Sequence, residues 1–399
     1  MNIILFDDNN RHHLLPLTFL RPSALIRCGI ITMQEKWNMY LKNNTSFFTS
    51  AYLRKKFTLQ IQKENLFINP LVFPSQKLVD EIWSLRAGMA LVSSDNTLIA
   101  FSMTEDDCKN RQIEQYNDLR IEQINDFEFI TYDSTVFKIS RPWDIFAMNG
   151  RAIEEDFDLL TKERESATLS STNKRTDEGR IFIEKGAKIE FSVINASTGS
   201  VYIGKNAEMM ENCAVRGPFA LCEESVLKMG AKIYGPTTIG PQCKVGGEVN
   251  NSVFFGYSNK AHDGFLGNSV IGEWCNLGAD TNNSNLKNTY DIVKLWSYPE
   301  QHFVSTGLQF CGLIMGDHSK SSINTMFNTG TVVGISANVF GDGFPRNYIP
   351  SFSWGGAAGL KKFNFEKAVQ VATAVLERRG VILSDCDIEI LKTLYDLTD

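Results

Sequence analysis

The sequence predicts a mixed α/β domain followed by a parallel β-helix of six-residue repeats. Three observations predict it. First, stepping by six from Ile203 lands on Met209, Val215, Leu221, Leu227, Ile233, Ile239 and Val245, each aliphatic or Met. A period of six fits neither a helix nor an alternating strand. It marks a hexapeptide β-helix, in which three flat sides make a coil of about 18 residues and each repeated apolar side chain stacks on its equivalent one coil away. Second, strand and helix signals are interspersed over the first 145 residues. Third, a polar stretch rich in Ser, Thr and charge, Ser166 to Arg180, separates the two parts.

Taken in order, Ile3 to Phe6 reads as a buried strand, and Asp7 to His13 as a polar loop. Pro22 to Leu41 reads as one helix, with Pro at its start, where a missing N–H costs nothing. Short strands are expected at Ser46–Phe48, Leu66–Ile68, Ala90–Val92, Thr97–Phe101 and Phe127–Ile130, and a helix over Leu78–Arg86. Trp143 to Glu165 has the apolar stripe of a long linking helix. The period-six pattern then runs from about Ile181 to Gly341, with Gly204, Gly240 and Gly246 at candidate corners. Its frame is lost over Asn250–Phe265 and again over Asn282–Gly312, and both breaks read as loops leaving the solenoid. A segment punctuated by Pro345 and Pro350 follows. The chain closes with a helix from Phe365 to Arg379, ending before Gly380, and another capped by Ser384 or Asp385. The expected division is therefore 1–145, 146–180 (linking helix and linker), 181–343 (β-helix) and 344–399 (C-terminal segment with two helices).

The 399 residues suffice for two or three domains with their own cores. The net charge of -6 leaves no basic footprint for nucleic acid. No apolar run is long enough to span a membrane, and the N-terminus does not read as a secretion signal. The eight Cys stand singly, with no CxxC, as reduced core residues do, so a cytoplasmic location is expected. The five His include no pair at the spacing that one side of a coil would need to share a zinc ion, so no metal ligands are assigned.

His262, with Lys260 two residues before it, is the loop histidine of the β-helix. Packed as a trimer, such prisms would place loops of one copy over a cleft on the next. There a neutral imidazole can take a proton from an amine or hydroxyl attacking a thioester. A backbone N–H at a coil corner would stabilise the oxyanion. Asn285 would orient the nucleophile or the base. The bland alternative is a loop histidine bonded to a nearby carbonyl.

The runs Asn259-Lys260-Ala261-His262-Asp263-Gly264-Phe265-Leu266-Gly267-Asn268 and Ile271-Gly272-Glu273-Trp274-Cys275-Asn276-Leu277-Gly278-Ala279-Asp280-Thr281 resemble the acetyltransferase core of the bacterial bifunctional glucosamine-1-phosphate N-acetyltransferase / N-acetylglucosamine-1-phosphate uridylyltransferase family. Gly256–Lys260 and Pro345–Gly356 resemble a divergent branch of that family. The resemblance implies a left-handed β-helix, a homotrimer and a Rossmann-like nucleotidyltransferase domain in front. It implies acetyl-CoA as acyl donor, an amino-sugar phosphate and a nucleotide as the other substrates, and Mg²⁺ if the front domain is active. It places the catalytic base at His262, a positioning Asn at Asn285, a sugar contact at Asn276 and a thioester-contacting amide at Ala279. Lys260 is taken as a further substrate contact.

The sequence also departs from the family. Phe265 stands in place of a Tyr that bonds the sugar phosphate, Asp280 in place of a Gly, and Leu286 in place of a Tyr. Arg216 is the one arginine near the altered sugar-phosphate loop. In front, the family's Gly-x-Gly-Thr-Arg loop is replaced by Asp7-Asp8-Asn9-Asn10-Arg11. Leu15-Pro16-Leu17-Thr18 is kept, and Arg11 and Arg21 are the residues left to hold phosphate. Asp95 is a poor match for the family's metal-binding Asp. Two readings stay open: a sugar-phosphate acyltransferase with a nucleotidyltransferase-like domain, and a non-catalytic trimeric scaffold or sugar-nucleotide sensor.

Overall fold

The computed structural model describes residues 1–398. The front domain is a six-stranded mixed sheet. Its strands are β1 (Asn2–Phe6), β2 (Ser46–Phe48), β3 (Glu64–Ile68), β4 (Met89–Ser93), β5 (Leu98–Thr104) and β6 (Glu128–Tyr132), in the order β2-β1-β3-β5-β4-β6. β1 pairs in parallel with β2 on one side and β3 on the other. Its run Ile3–Phe6 is buried on both faces, which is why it reads as continuously apolar rather than alternating. The short helix α1 (Asn10–His13) sits in the loop after β1.

One expected element is broken. Pro22–Leu41 is not a single helix: a 3-10 turn covers Ser23–Leu25, and α2 spans only Met33–Leu41. Between them the chain is drawn against the linking helix. Gly29 has φ +88°, and a Cβ there would meet the backbone of Ala152 at 2.8 Å. The Asp156 carboxylate accepts from the N–H groups of Ile30 and Ile31. Thr32 then restarts the helix with a capping box to Glu35. Helices α3 (Gln76–Trp83) and α4 (Glu105–Asn110) complete the front domain.

The linking helix α5 (Pro142–Thr161) leads into a three-sided parallel β-helix with faces of six, nine and ten strands. The regular coil pairs residues eighteen apart, as Ile203 with Leu221 and Leu221 with Ile239. The solenoid starts earlier than expected. Lys174–Thr176, inside the stretch read as linker, pairs with Val193–Asn195 as the first strand of its face. It also ends later: Tyr348–Ile349 and Ser353–Gly356 continue the coil.

The two frame breaks differ in kind. The first is not a loop but a shortened coil, in which Val245 pairs with Lys260 and Phe254 with Ile271. The second is a true insertion: Ile271 pairs with Met315, and the chain between them carries an antiparallel hairpin, Lys294–Ser297 with His302–Ser305. Corners also differ from expectation. Gly204 and Gly240 do not supply a positive φ. They sit where coils touch, and a Cβ on Gly240 would lie 2.1 Å from the Phe255 carbonyl oxygen. The left-handed corners are taken by residues such as Asn206, Asn212, Glu224 and Gln242.

The nine-stranded face is covered. α5 and the segment from Leu14 to Met33 pack on Phe255, Val270, Ile314 and Val332. The C-terminal helices α6 (Phe365–Glu377) and α7 (Asp385–Leu397) pack on Ile335 and Phe352. The six-stranded face stays open, with Val193 and Tyr234 exposed on it.

Candidate functional site

Two places gather the expected site residues. The first is a cleft of about 1240 Å³ at the carboxyl end of β1. The strand order turns around β1, and the crevice outside such a switch point is where open α/β sheets bind ligands. The loop that builds it is held from below. Asp7 is buried, accepts from the Ser23 N–H at 2.9 Å and the Thr49 hydroxyl at 2.5 Å, and forms an ion pair with the Arg11 guanidinium at 3.1 Å. Asp8 reaches the cleft wall, where it accepts from the Asn10 amide at 2.9 Å and the Asn69 amide at 3.0 Å. Burial pushes the Asp8 carboxyl above its ordinary value, against the pull of those two amides.

Across the cleft, His12 lies 3.5 Å from Asp118, whose pKa falls to about 2 under the bond from His12, with Arg120 adding to it. Lys138 reaches Asp95 at 2.6 Å. Asp8, Asp95 and Asp118 each already have partners. Among the described residues no three His, Cys, Asp or Glu side chains converge.

Arg11 and Arg21 are placed differently from expectation. Arg11 is 2% exposed and spends its guanidinium on Asp7, the Thr18 carbonyl and the Tyr52 hydroxyl. It positions the loop rather than offering a free cation. Arg21 lies outside the cleft. It bridges from the front domain to the β-helix, 2.5 Å from Asp317 and 2.9 Å from Glu273. Arg21 and Asp317 are buried while Glu273 is half-buried, and the ring of Phe255 lies under the guanidinium.

The second place is an open depression of about 350 Å³ on the edge between the ten- and six-stranded faces. His262 is exposed there, beside Gly246, Gly247, Asp263, Ala279 and Asp280. Gly247 has φ +71°, and a Cβ on it would also stand 2.9 Å from the His262 carbonyl oxygen, while a Cβ on Gly246 would stand 2.6 Å from the Ala261 carbonyl oxygen.

Lys260 does not face this depression. The shortened coil turns it into the solenoid's interior column, after Val245 and before Leu277. It is 1% exposed, and its Nζ donates to the carbonyls of Gly246 (3.0 Å), His262 (2.7 Å) and Asp263 (3.2 Å). Its role is to tie down the loop that carries His262. Desolvation lowers its pKa to about 8.

Asn285 lies on a different edge, between the six- and nine-stranded faces, where its amide donates to Asn268 at 2.8 Å. Within one protomer it is not brought to His262. Asn276 is exposed on the ten-stranded face, between Asn259 and Lys320. His262 and Ala279 are thus the two expected acyl-site residues that share a surface.

The sequence reading missed the His12–Asp118 pair, the Arg21–Asp317–Glu273 junction and the inserted hairpin. The junction had no local signal, because its partners lie nearly three hundred residues apart.

Residues 3–165 match the family model "sugar nucleotidyl transferase", a family of transferases. No curated protein matches the chain. Among solved structures, a Bacillus cereus protein described as an acetyltransferase is 12% identical, with 57% of this chain and 99% of that chain covered, at a TM-score of 0.23. AntD, an N-acyltransferase from Bacillus cereus solved with dTDP and coenzyme A, is 13% identical over 52% of this chain and 90% of its own, at 0.23. An Arabidopsis UDP-N-acetylglucosamine acyltransferase is 13% identical over 53% and 77%, at 0.20. Among the described residues no helix is long and apolar enough to cross a membrane.

Proposed function

We propose that this chain is a transferase of nucleotide-sugar biosynthesis. In this reading the β-helix transfers an acetyl group from acetyl-CoA to an amino-sugar phosphate, and the front domain binds the sugar nucleotide or its precursors. The observation that carries it is the switch-point cleft after β1, which is lined by residues of the segment that matches the sugar nucleotidyl transferase family, with Leu394 and Leu397 of α7 at its edge.

The acyl half rests on the exposed His262 in its depression. Its ring takes the proton from the substrate amine as the nitrogen attacks the thioester carbon. The C–N bond forms, the tetrahedral oxyanion is met by the backbone of Ala279, and collapse expels the coenzyme A thiolate, which takes up a proton. Asn285 joins this site only from a second copy. His262 and Asn285 flank opposite edges of the open six-stranded face, so packing that face in a homotrimer is what would bring them together. Asn276 is a candidate sugar contact at the neighbouring face.

A second reading has its own support. Arg11 and Arg21 are both spent on protein carboxylates, which favours a front domain that binds without turning over.

The test is a two-armed assay on purified protein. One arm offers acetyl-CoA with amino-sugar phosphates and reads thiol release. The other offers UTP or dTTP with sugar-1-phosphates and Mg²⁺ and reads pyrophosphate. Thiol release without pyrophosphate fits an acyltransferase with a binding-only front domain, and both products fit a bifunctional enzyme. Silence in both arms, with sugar-nucleotide binding retained, would replace the enzyme reading with a sensor.

A further inference from the structure

The inserted hairpin builds a third hollow, of about 670 Å³, apart from both places described above. Three cations line it: Lys287, Lys294 and Arg346. No Asp or Glu is among its lining residues, in a chain whose net charge is -6. Lys294 and Arg346 are exposed, and none of the three cations is in an ion pair among the described residues. Lys287 is oriented by a bond from its Nζ to the Ile292 carbonyl at 3.1 Å.

The remaining wall is aromatic. Trp296 stacks on Tyr348 with centroids 4.3 Å apart and an interplanar angle of 11°. Phe303, 40% exposed, stands edge-on to Trp296 at 5.4 Å. This arrangement follows from the strand period. Lys294 and Trp296 are two residues apart and share the face of the hairpin opposite the buried Leu295, while Phe303 is the cross-strand partner of Trp296. The last coil supplies Arg346 and Tyr348 from the facing side. Thr329 and Asn347 complete the floor, with the Asn347 amide fixed on the Thr329 carbonyl at 2.6 Å.

We infer that this hollow binds a nucleoside diphosphate, the base against Phe303 and Trp296 and the phosphates among Lys287, Lys294 and Arg346. An aromatic wall alone would suit any planar ligand, and a cation cluster alone any anion. Their convergence in one concavity selects a ligand with a flat ring at one end and adjacent phosphates at the other. The adenosine diphosphate end of coenzyme A and the uridine diphosphate of a nucleotide sugar share this chemistry.

The test is calorimetric titration of the full chain with ADP, UDP, pyrophosphate and adenosine, independent of any turnover. Expected are binding of ADP or UDP tighter than of pyrophosphate or adenosine, and a loss of about tenfold in affinity in Lys294→Ala and in Arg346→Ala, as for a charge-assisted contact. Both replace exposed side chains, so folding is kept and is checked by circular dichroism. Phe303→Leu should weaken ADP and leave pyrophosphate unchanged. Competition by coenzyme A or by UDP-N-acetylglucosamine then identifies the source. Nucleotide binding that is unchanged in the Lys294→Ala/Arg346→Ala double variant would place it elsewhere and overturn the inference. Pyrophosphate binding as tightly as ADP would overturn it too.

Discussion

Lys260 occupies a position that should be aliphatic. Its ammonium is stabilised by three carbonyls of the loop it crosses under, and removing it takes a donor from each; the Asp263 oxygen keeps the Asp280 N–H, while those of Gly246 and His262 lose the bond from Nζ. Lys260→Met keeps the apolar stem but not the bonds, and we expect a loss of about 2–3 kcal/mol, measured by denaturant unfolding. The pH dependence has a definite sign. Its folded pKa, about 8, lies below the ordinary lysine value of 10.5, so the unfolded chain holds more protons between them. This group therefore makes stability rise with pH from 8 to 10.5, and the wild-type-minus-Lys260→Met difference should carry that slope. An unchanged slope would mean that the ammonium is not desolvated. The sequence pointed to Lys260 for its nearness to His262, and missed its burial. Stepping from Val245 by fifteen rather than eighteen residues puts Lys260 in the interior column, but nothing local announces the shortened coil. The exposure of His262, by contrast, was legible, because a polar run of that kind cannot fill a core.

At the scale of elements, the period of six was the strongest signal in the chain, and the solenoid follows it from Ile203 to Val245 in register. The corners were legible only in part. Gly240 was read as a turn residue, yet its reason is the next coil's backbone, which a single sequence does not display. Gly240→Ala places a methyl 2.1 Å from the Phe255 carbonyl oxygen and should cost about 3 kcal/mol or more, with the loss appearing in thermal unfolding. A Gly at an open corner such as Gly230, where a Cβ meets nothing within 4 Å, should tolerate Asn with little change. The break in the helix expected over Pro22–Leu41 was not legible, because it is dictated by α5. Asp156 lies far away in sequence, and it takes the amides of Ile30 and Ile31 and pairs with Lys36.

For the whole molecule, the front domain is fixed to the β-helix by apolar packing over the nine-stranded face and by one buried charged junction. Arg21→Met removes the partner of Asp317, a carboxylate that is 1% exposed, and leaves it uncompensated. We expect a loss of about 3–5 kcal/mol, and separation of the domains' unfolding transitions in calorimetry. A change under 1 kcal/mol would mean that the junction is wet and the packing alone holds the domains. The same docking leaves the six-stranded face free, and the proposed acyl site needs that face, because His262 and Asn285 stand on its two edges. His262 is proposed as the base of an acyl transfer. The most direct measurement is thiol release from acetyl-CoA, over a panel of amino-sugar phosphates, by wild type and His262→Ala side by side. Turnover on at least one acceptor is expected, with a fall in kcat of about 10²–10⁴-fold in the variant and the oligomeric state unchanged. Equal rates in the two proteins would contradict it.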